Sequence, residues 1–440
     1  MLATPRHGAA ERIALAFDGM RLEKRRPPFM SHFLAPARTI LRHRGFVVLL
    51  GCNLLLGLAS SFVAPFLSMF GTIEVGMSPP VFGVFMTITS LSGVFLSTVL
   101  ARWSDVRFTR RAMLVLGSFT GALGYVGYAF VRDVAGLIAI GSLMLGISSI
   151  TFSQLFAHAR ELLVRSDVPP KDAPLYINVF RLLFSLAWTV GPALASAVMI
   201  RYSYRGTFLV AAFLFVLLLL SVLRFVPAVP PLAAAQRAAP VPFSELLLRP
   251  GLVAHFVGFV LIFVCTTMSI MNLPLLILDE LGGNARHIGI VFSVAPVFEL
   301  PFMYYCGLLA SRGDQSRLIR MSVMLAIGYY ALLAIVRAPW QIYPLQILSA
   351  AITAVIGGVA ITFFQNFLPD HAGTATNLYS NAVRIGAMAG YLSFGVLAQS
   401  FGHRVVFVVC SSLCAIALSI LFAFRPRENV PAPVLASGIS

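Results

Sequence analysis

The chain has 440 residues, of which 59% are hydrophobic and only 11% charged. A water-soluble domain carries nearer a quarter charged residues, so lipid is the solvent for most of this chain and a soluble enzyme is excluded. The formal net charge of +16 is no nucleic-acid signature, because the Lys and Arg residues lie in short segments between apolar stretches and form no basic face with interleaved aromatics.

Residues 1–45 contain nine Lys/Arg, with Arg12, Arg21, Lys24, Arg25 and Arg26 close together. No short apolar core with a small-residue cleavage site follows, so the segment is expected to be a basic cytoplasmic tail and not a signal peptide. Met30 is a second candidate start.

A bilayer core needs about 20 apolar helical residues to cross it. That window places six spans near 46–70, 80–101, 112–131, 134–157, 175–200 and 206–226. Six more lie near 251–277, 288–310, 319–337, 340–365, 374–399 and 404–424. An even number of spans puts both termini on one side. With the N-terminus inside, 24 Lys/Arg face the cytoplasm and six face outward (Arg132, Arg201, Arg205, Arg286, Arg337 and Arg404). The positive-inside rule therefore assigns both termini to the cytoplasm, for a multi-pass protein of the cell (inner) membrane.

Residues 227–249 hold Pro227, Pro230, Pro231, Pro240 and Pro242 beside an Ala run. Proline cannot continue a helix, so this segment reads as a cytoplasmic linker. The expected organisation is a tail (1–45), a first six-helix half (46–226), the linker, a second half (250–424) and a short cytoplasmic tail (425–440).

The halves carry matching residues. Span five opens Tyr176-Ile177-Asn178-Val179-Phe180-Arg181 and span eleven opens Tyr379-Ser380-Asn381-Ala382-Val383-Arg384. Pro65 and Pro274 fall late in spans one and seven, and Gln154 and Gln365 fall at the ends of spans four and ten. These pairs occur in the same order at offsets of 203 to 211 residues. The fold expected is an all-α membrane protein with twelve transmembrane helices in two pseudo-symmetric halves, and a polar site at the midplane between them.

Of 16 acidic residues, Glu299 is the one expected in mid-membrane, roughly 16 Å into span eight at 1.5 Å per residue. A carboxylate there costs several kcal/mol and is a functional candidate by default; a structural ion pair or a permanently neutral acid is the alternative. Arg181 is its candidate partner if spans five and eight are neighbours, and the two are assigned to proton coupling. Asn and Arg at i, i+3 share a helix face, which nominates Asn178, Asn381 and Arg384 for substrate binding. Gln154, Gln365 and Asn272 join them as amides that bind hydroxyls, with Trp188 as the ring against a sugar face. Asn272 stands beside Pro274, which frees a backbone carbonyl. Interhelical hydrogen bonding explains each amide equally well, and His158 is expected to be a neighbour of the loop.

Cys52, Cys265, Cys306, Cys410 and Cys414 all lie in apolar stretches without a CxxC, so neither a disulfide framework nor a zinc site is expected. No GxxxxGK[ST] loop, hydrolase triad or metal-ligand cluster is present. Catalysis and cofactors are therefore not expected, and a gradient supplies the energy. The proton is favoured because Glu299 can titrate if burial raises its carboxyl group into the range.

The segment Ala101-Arg102-Trp103-Ser104-Asp105 followed by Arg110-Arg111 resembles the loop motif between helices two and three of the major facilitator superfamily. Ala101 and Phe108-Thr109 depart from that motif. A more degenerate copy runs from Gly307 through Arg312-Gly313-Asp314 to Arg317. The resemblance assigns Asp105, Arg110 and Arg111 to gating. Ala187-Trp188-Thr189-Val190-Gly191-Pro192 resembles the Gly-Pro motif of antiporters and adds Gly191 and Pro192.

More narrowly, the chain is similar to bacterial sugar efflux transporters. The similarity rests on Gln154 to Glu161, Arg181 with Ser185-Leu186-Ala187-Trp188, Leu273-Pro274 before Glu280-Leu281-Gly282, and Phe298-Glu299-Leu300-Pro301. It implies proton-coupled export of small sugars or glycosides by a monomer in the lipid bilayer. Asn272 departs from the acid expected there. Export of drugs or amphipathic metabolites is the alternative within the fold, and a non-transporting membrane sensor is the alternative outside it.

Overall fold

The computed structural model describes residues 44–106, 108–165, 173–227, 250–312, 314–368 and 372–424. Contacts divide the chain after Val47, and from Val48 onward it is one compact unit. The linker from residue 228 onward and most of both tails lie outside the described residues.

Among the described residues every regular element is helical, as lipid requires of a backbone that must satisfy its own polar groups. The helices are α1 (Gly45–Glu74), α2 (Pro79–Val106), α3 (Arg110–Phe130) and α4 (Val134–Leu163). A single helical run, Ala173–Phe225, breaks at Ser203, where φ is 59° and ψ −168°; its arms are α5 (173–202) and α6 (204–225). Then follow α7 (Gly251–Glu280), α8 (Ala285–Arg312), α9 (Gln315–Ile335), α10 (Pro339–Phe367), α11 (Ala372–Phe401) and α12 (His403–Ala423). Polar side chains cap several starts: Thr109 accepts from the Ala112 N–H, Asp133 from Gly136 and Asp314 from Ser316.

Ten described stretches are long and apolar enough to cross a membrane, against the twelve expected. Leu182–Phe225 counts as one stretch of 44 residues, because the chain is helical on both sides of the Ser203 break although Arg201, Ser203 and Arg205 lie there. Helix α11 lies outside the ten; Thr374, Thr376, Asn377, Ser380, Asn381 and Arg384 dilute its apolar surface.

Irregularities recur along the chain. Pro65 tightens α1 into a 3₁₀ turn at Ala64–Phe66, after which the helix widens into a π turn at Phe70–Glu74. Helix α7 carries Pro274 and ends in the π turn Leu276–Glu280. The Val75 and Met77 N–H groups donate to Phe70 and Gly71, and the Leu281 and Gly283 N–H groups donate to Leu276 and Ile277. Gly76 (φ 76°) and Gly282 (φ 63°) then turn the chain in the left-handed region. Helices α4 and α10 have internal π turns at Gly141–Leu145 and Val355–Val359. The break at Ser203 is matched by Gly402 (φ 81°, ψ 171°) between α11 and α12.

Small residues set the closest helix crossings. A Cβ on Gly191 would collide with Ser61 of α1, and one on Gly57 would lie 2.7 Å from Ala187. Helix α5 also packs on α8, where the Ala193 N–H donates to Ser293 and a Cβ on Gly289 would lie 2.9 Å from the Pro192 carbonyl oxygen. Helix α2 meets α11 equally closely. A Cβ on Gly83 would lie 2.5 Å from the Tyr391 carbonyl oxygen, and one on Gly395 would lie 2.5 Å from that of Pro79. The α5–α8 and α2–α11 contacts both lie toward the end of the bundle that bears Gly76, Ser203, Gly282 and Gly402.

Candidate functional site: a hydroxyl-lined cavity

A cavity of about 520 Å³ opens among α1, α2, α3, α4 and α11. Helix α2 contributes Thr89, Ser90, Gly93 and Ser97, α4 contributes Gly141, Gly146 and Ser149, and α11 contributes Arg384 and Tyr391. The α4 wall has a local cause. Its π turn brings Gly141 so close to α2 and α3 that a Cβ there would collide with the Tyr128 hydroxyl and lie 2.6 Å from Thr89. The Ser149 hydroxyl then donates to the Gly93 carbonyl at 3.1 Å, tying α4 to α2.

On α11, Arg384 and Tyr391 are seven residues apart, two turns along one face. The Arg384 side chain is exposed, and no hydrogen bond or ion pair engages it among the described residues. Asn381, one turn away, is exposed as well.

The other expected site residues fall into separate settings. Glu299 is half-buried on α8, between Pro296 and Pro301. Neither proline has an N–H to offer, so carbonyls one turn earlier lose their helical donors near the carboxyl group. Helices α5 and α8 are indeed neighbours. The side chains of Arg181, Asn178 and Asp105 lie outside the described residues. Trp188 is half-buried on α5, and its indole N–H is shielded from solvent without an acceptor among the described residues.

Asn272 is fully buried and lies against the start of α12. Its amide N–H donates to the His403 carbonyl at 2.8 Å, while its oxygen is 2.7 Å from His403 Nδ1. It clasps α7 to α12, the interhelical role open to any amide, and is not among the residues lining the cavity. Gln365 donates to the Thr376 hydroxyl at 3.1 Å, joining α10 to α11.

Gln154 accepts from Arg110 Nη1 at 3.1 Å. Arg110 also pairs through Nε with Glu161 at 3.0 Å, with both partners nearly buried. Arg111 donates to the Leu223 carbonyl at the end of α6. His158 corrects the expectation of a loop neighbour. Helix α4 continues beyond residue 157, and the ring is fully buried beside the Arg110–Glu161 pair, with neither nitrogen hydrogen-bonded.

The cavity hydroxyls were absent from the sequence-derived set. Their signal was present: Ser90, Gly93 and Ser97 sit at i, i+3 and i+7, a polar stripe of helical period inside an apolar span.

The family model for the Major Facilitator Superfamily matches residues 49–391. A putative sugar efflux transporter of Deinococcus radiodurans is 34% identical, over 85% of this chain and 97% of its own length. Sugar efflux transporter A of Escherichia coli K12 is 29% identical, over 83% of this chain and 92% of its own. A crystal structure of the nucleoside transporter NupG superposes with a TM-score of 0.72 at 13% identity, covering 87% of this chain and 99% of that one; at that identity the likeness concerns fold alone. The family is one of transporters and not of enzymes, and with its matched residues running through all the helices that build this cavity, the chain belongs to the major facilitator superfamily, alongside the sugar efflux transporters.

Proposed function

We propose that this protein is a proton-coupled exporter of small sugars or glycosides, exchanging substrate for protons by alternating access. The observation that carries the reading is the cavity of about 520 Å³, a size suited to a small ligand. Serine, threonine and tyrosine residues line it beside Val63, Leu67, Met86, Val94 and Leu145, and hydroxyls can exchange hydrogen bonds with a polyhydroxylated molecule while the apolar side chains meet its ring faces.

The proposed architecture is twelve transmembrane helices in two halves, 46–226 and 250–424, joined by a cytoplasmic linker. Three features 206 residues apart support it: the π turns at Phe70 and Leu276, the acids Glu74 and Glu280, and the left-handed Gly76 and Gly282. In this reading the 44-residue helical run crosses twice, turning at Ser203, and α11 crosses despite its polar face because that face lines the site. Both termini are cytoplasmic on the positive-inside bias. The end at which α2 meets α11 and α5 meets α8 is then the outer one, so the conformation is closed to the outside.

Glu299, with Arg181 as its partner across α5 and α8, is the proposed proton-coupling group. Arg384 and Asn381, with Asn178 and Trp188 across the bundle, are proposed to bind substrate. Asp105, Arg110 and Arg111 are proposed to brace the cytoplasmic ends, and Gly191 and Pro192 to allow α5 its close approach to α1 and α8.

The test is uptake of labelled lactose, glucose and a thio-glycoside into inverted vesicles, with and without an imposed proton gradient. Gradient-dependent uptake of any of them is expected. Its absence from folded, inserted protein would remove the sugar reading and favour amphipathic metabolites.

A further inference from the structure

Arg384 contributes a positive charge to the cavity wall, and among the described residues no carboxylate lines the cavity to meet it. Several described arginines near the helix ends have partners. Arg110, Arg132, Arg320 and Arg404 pair with Glu161, Glu74, Asp314 and Glu280, and Arg111 donates to the Leu223 carbonyl. Arg384 stands twelve residues into α11, about 18 Å along the axis at 1.5 Å per residue, with its side chain exposed. While the cavity is open, water solvates the guanidinium. When a transporter occludes its substrate that water is lost, and an unpaired buried charge is strongly disfavoured. A neutral sugar leaves this deficit in place; a substrate bearing its own anion removes it.

From this unpaired guanidinium in a hydroxyl-lined cavity, and resting on the sugar-exporter reading above, we propose that the preferred substrate is an acidic sugar, a polyhydroxylated molecule bearing a carboxylate or phosphate. Arg384 binds the anion, bidentately where the group's two oxygens allow. Ser90 and Ser97 of α2 and Ser149 of α4 face the hydroxyls from the opposite walls. The same charge repels cationic amphipathic drugs, so the site discriminates against them as well as for acids.

The experiment measures uptake of labelled glucuronate and glucose into inverted vesicles under an imposed proton gradient. In the unmodified protein the KM for glucuronate is expected to be at least about tenfold below that for glucose, a factor in keeping with one charge-assisted hydrogen-bonded pair. Arg384→Gln is expected to raise the glucuronate KM at least about tenfold, and Arg384→Lys to recover part of the loss because a point charge remains. Unlabelled inorganic phosphate and phosphatidylglycerol are added as competitors to separate an acidic sugar from a bare anion or a lipid headgroup.

Equal KM values for the two sugars, or an Arg384→Gln effect of the same size on both, would overturn the proposal and leave the sugar-exporter reading standing. Competition by phosphate or phosphatidylglycerol as strong as that by unlabelled glucuronate would overturn it too. Failure of both sugars with inserted protein would remove the underlying reading itself. Ligand-induced shifts in the melting temperature of the unmodified protein supply a readout that does not depend on the variants folding.

Discussion

Arg110 and Glu161 form an ion pair whose side chains are only 12% and 7% exposed, and the two partners differ in what their loss leaves behind. Glu161→Gln removes one counter-charge from a nearly buried guanidinium that also donates to Gln154, which is expected to lower stability by about 1–3 kcal/mol. The double variant Arg110→Met/Glu161→Leu removes both charges and should be the more stable of the two. Melting curves of the detergent-solubilised variants decide this; a double variant that melts below Glu161→Gln would refute the cost of an incompletely compensated buried charge. Glu299→Gln is the contrasting case. Its side chain is half-buried on α8, and a neutral amide of nearly the same shape should leave the melting temperature within a few degrees while abolishing gradient-driven uptake. Full gradient-driven uptake by that variant would end the coupling assignment. Sequence identified Glu299 as an intramembrane acid because a charge in an apolar span is costly wherever it points. It said much less about Asn272, since only packing reveals that the amide meets His403.

Ser203 and Gly402 occupy one backbone region, with φ near 60–80° and ψ near 180°, in the sharp reversals that follow α5 and α11. Glycine enters that region without penalty, but a side chain there costs of order 1–3 kcal/mol. The Ser203→Gly variant is therefore expected to raise stability by about 1 kcal/mol, and Gly402→Ser to lower it by a similar amount. Reversible denaturation of the two variants checks both signs, and a Ser203→Gly variant less stable than the parent would show that the hydroxyl has a role beyond the turn. The reversal explains why the two counts of spans disagree here: α5 and α6 meet directly at Ser203 with no non-helical segment between them, so the two arms form one continuous run. The opposite disagreement arises at α11, where the polar face that includes Arg384 lowers the hydropathy of a 30-residue helix. Spans are legible where their only task is to meet lipid, and become less so where a functional face competes with that task. The recurring Glu-x-Gly at Glu74 and Glu280 was readable too, but its importance rests on the π turns before it, which no residue pattern announces.

Across the whole molecule, the close α2–α11 and α5–α8 crossings are the proposed closure of the outer end. Both depend on glycine, and at Gly395 the neighbours that a Cβ would meet within 3.0 Å are all backbone atoms of Pro79 and Pro80. No side-chain rotation can relieve that contact, so Gly395→Val must push α2 and α11 apart at this end. If alternating access is a balance between two packings of similar energy, separating one crossing shifts the population toward the state open at that end. The readout is a cysteine at Ser90, which lines the cavity on α2, labelled by a membrane-impermeant thiol reagent from either face of the membrane. The Ser90→Cys protein should label mainly from the cytoplasmic face. Adding Gly395→Val should raise labelling from the external face several-fold and slow transport, because the return to the closed state is now opposed. An unchanged pattern in a folded double variant would mean that the α2–α11 crossing is passive packing and that closure is set elsewhere. A rise on the cytoplasmic face instead would reverse the assigned orientation, so one pair of labelling experiments tests both the gate and the topology.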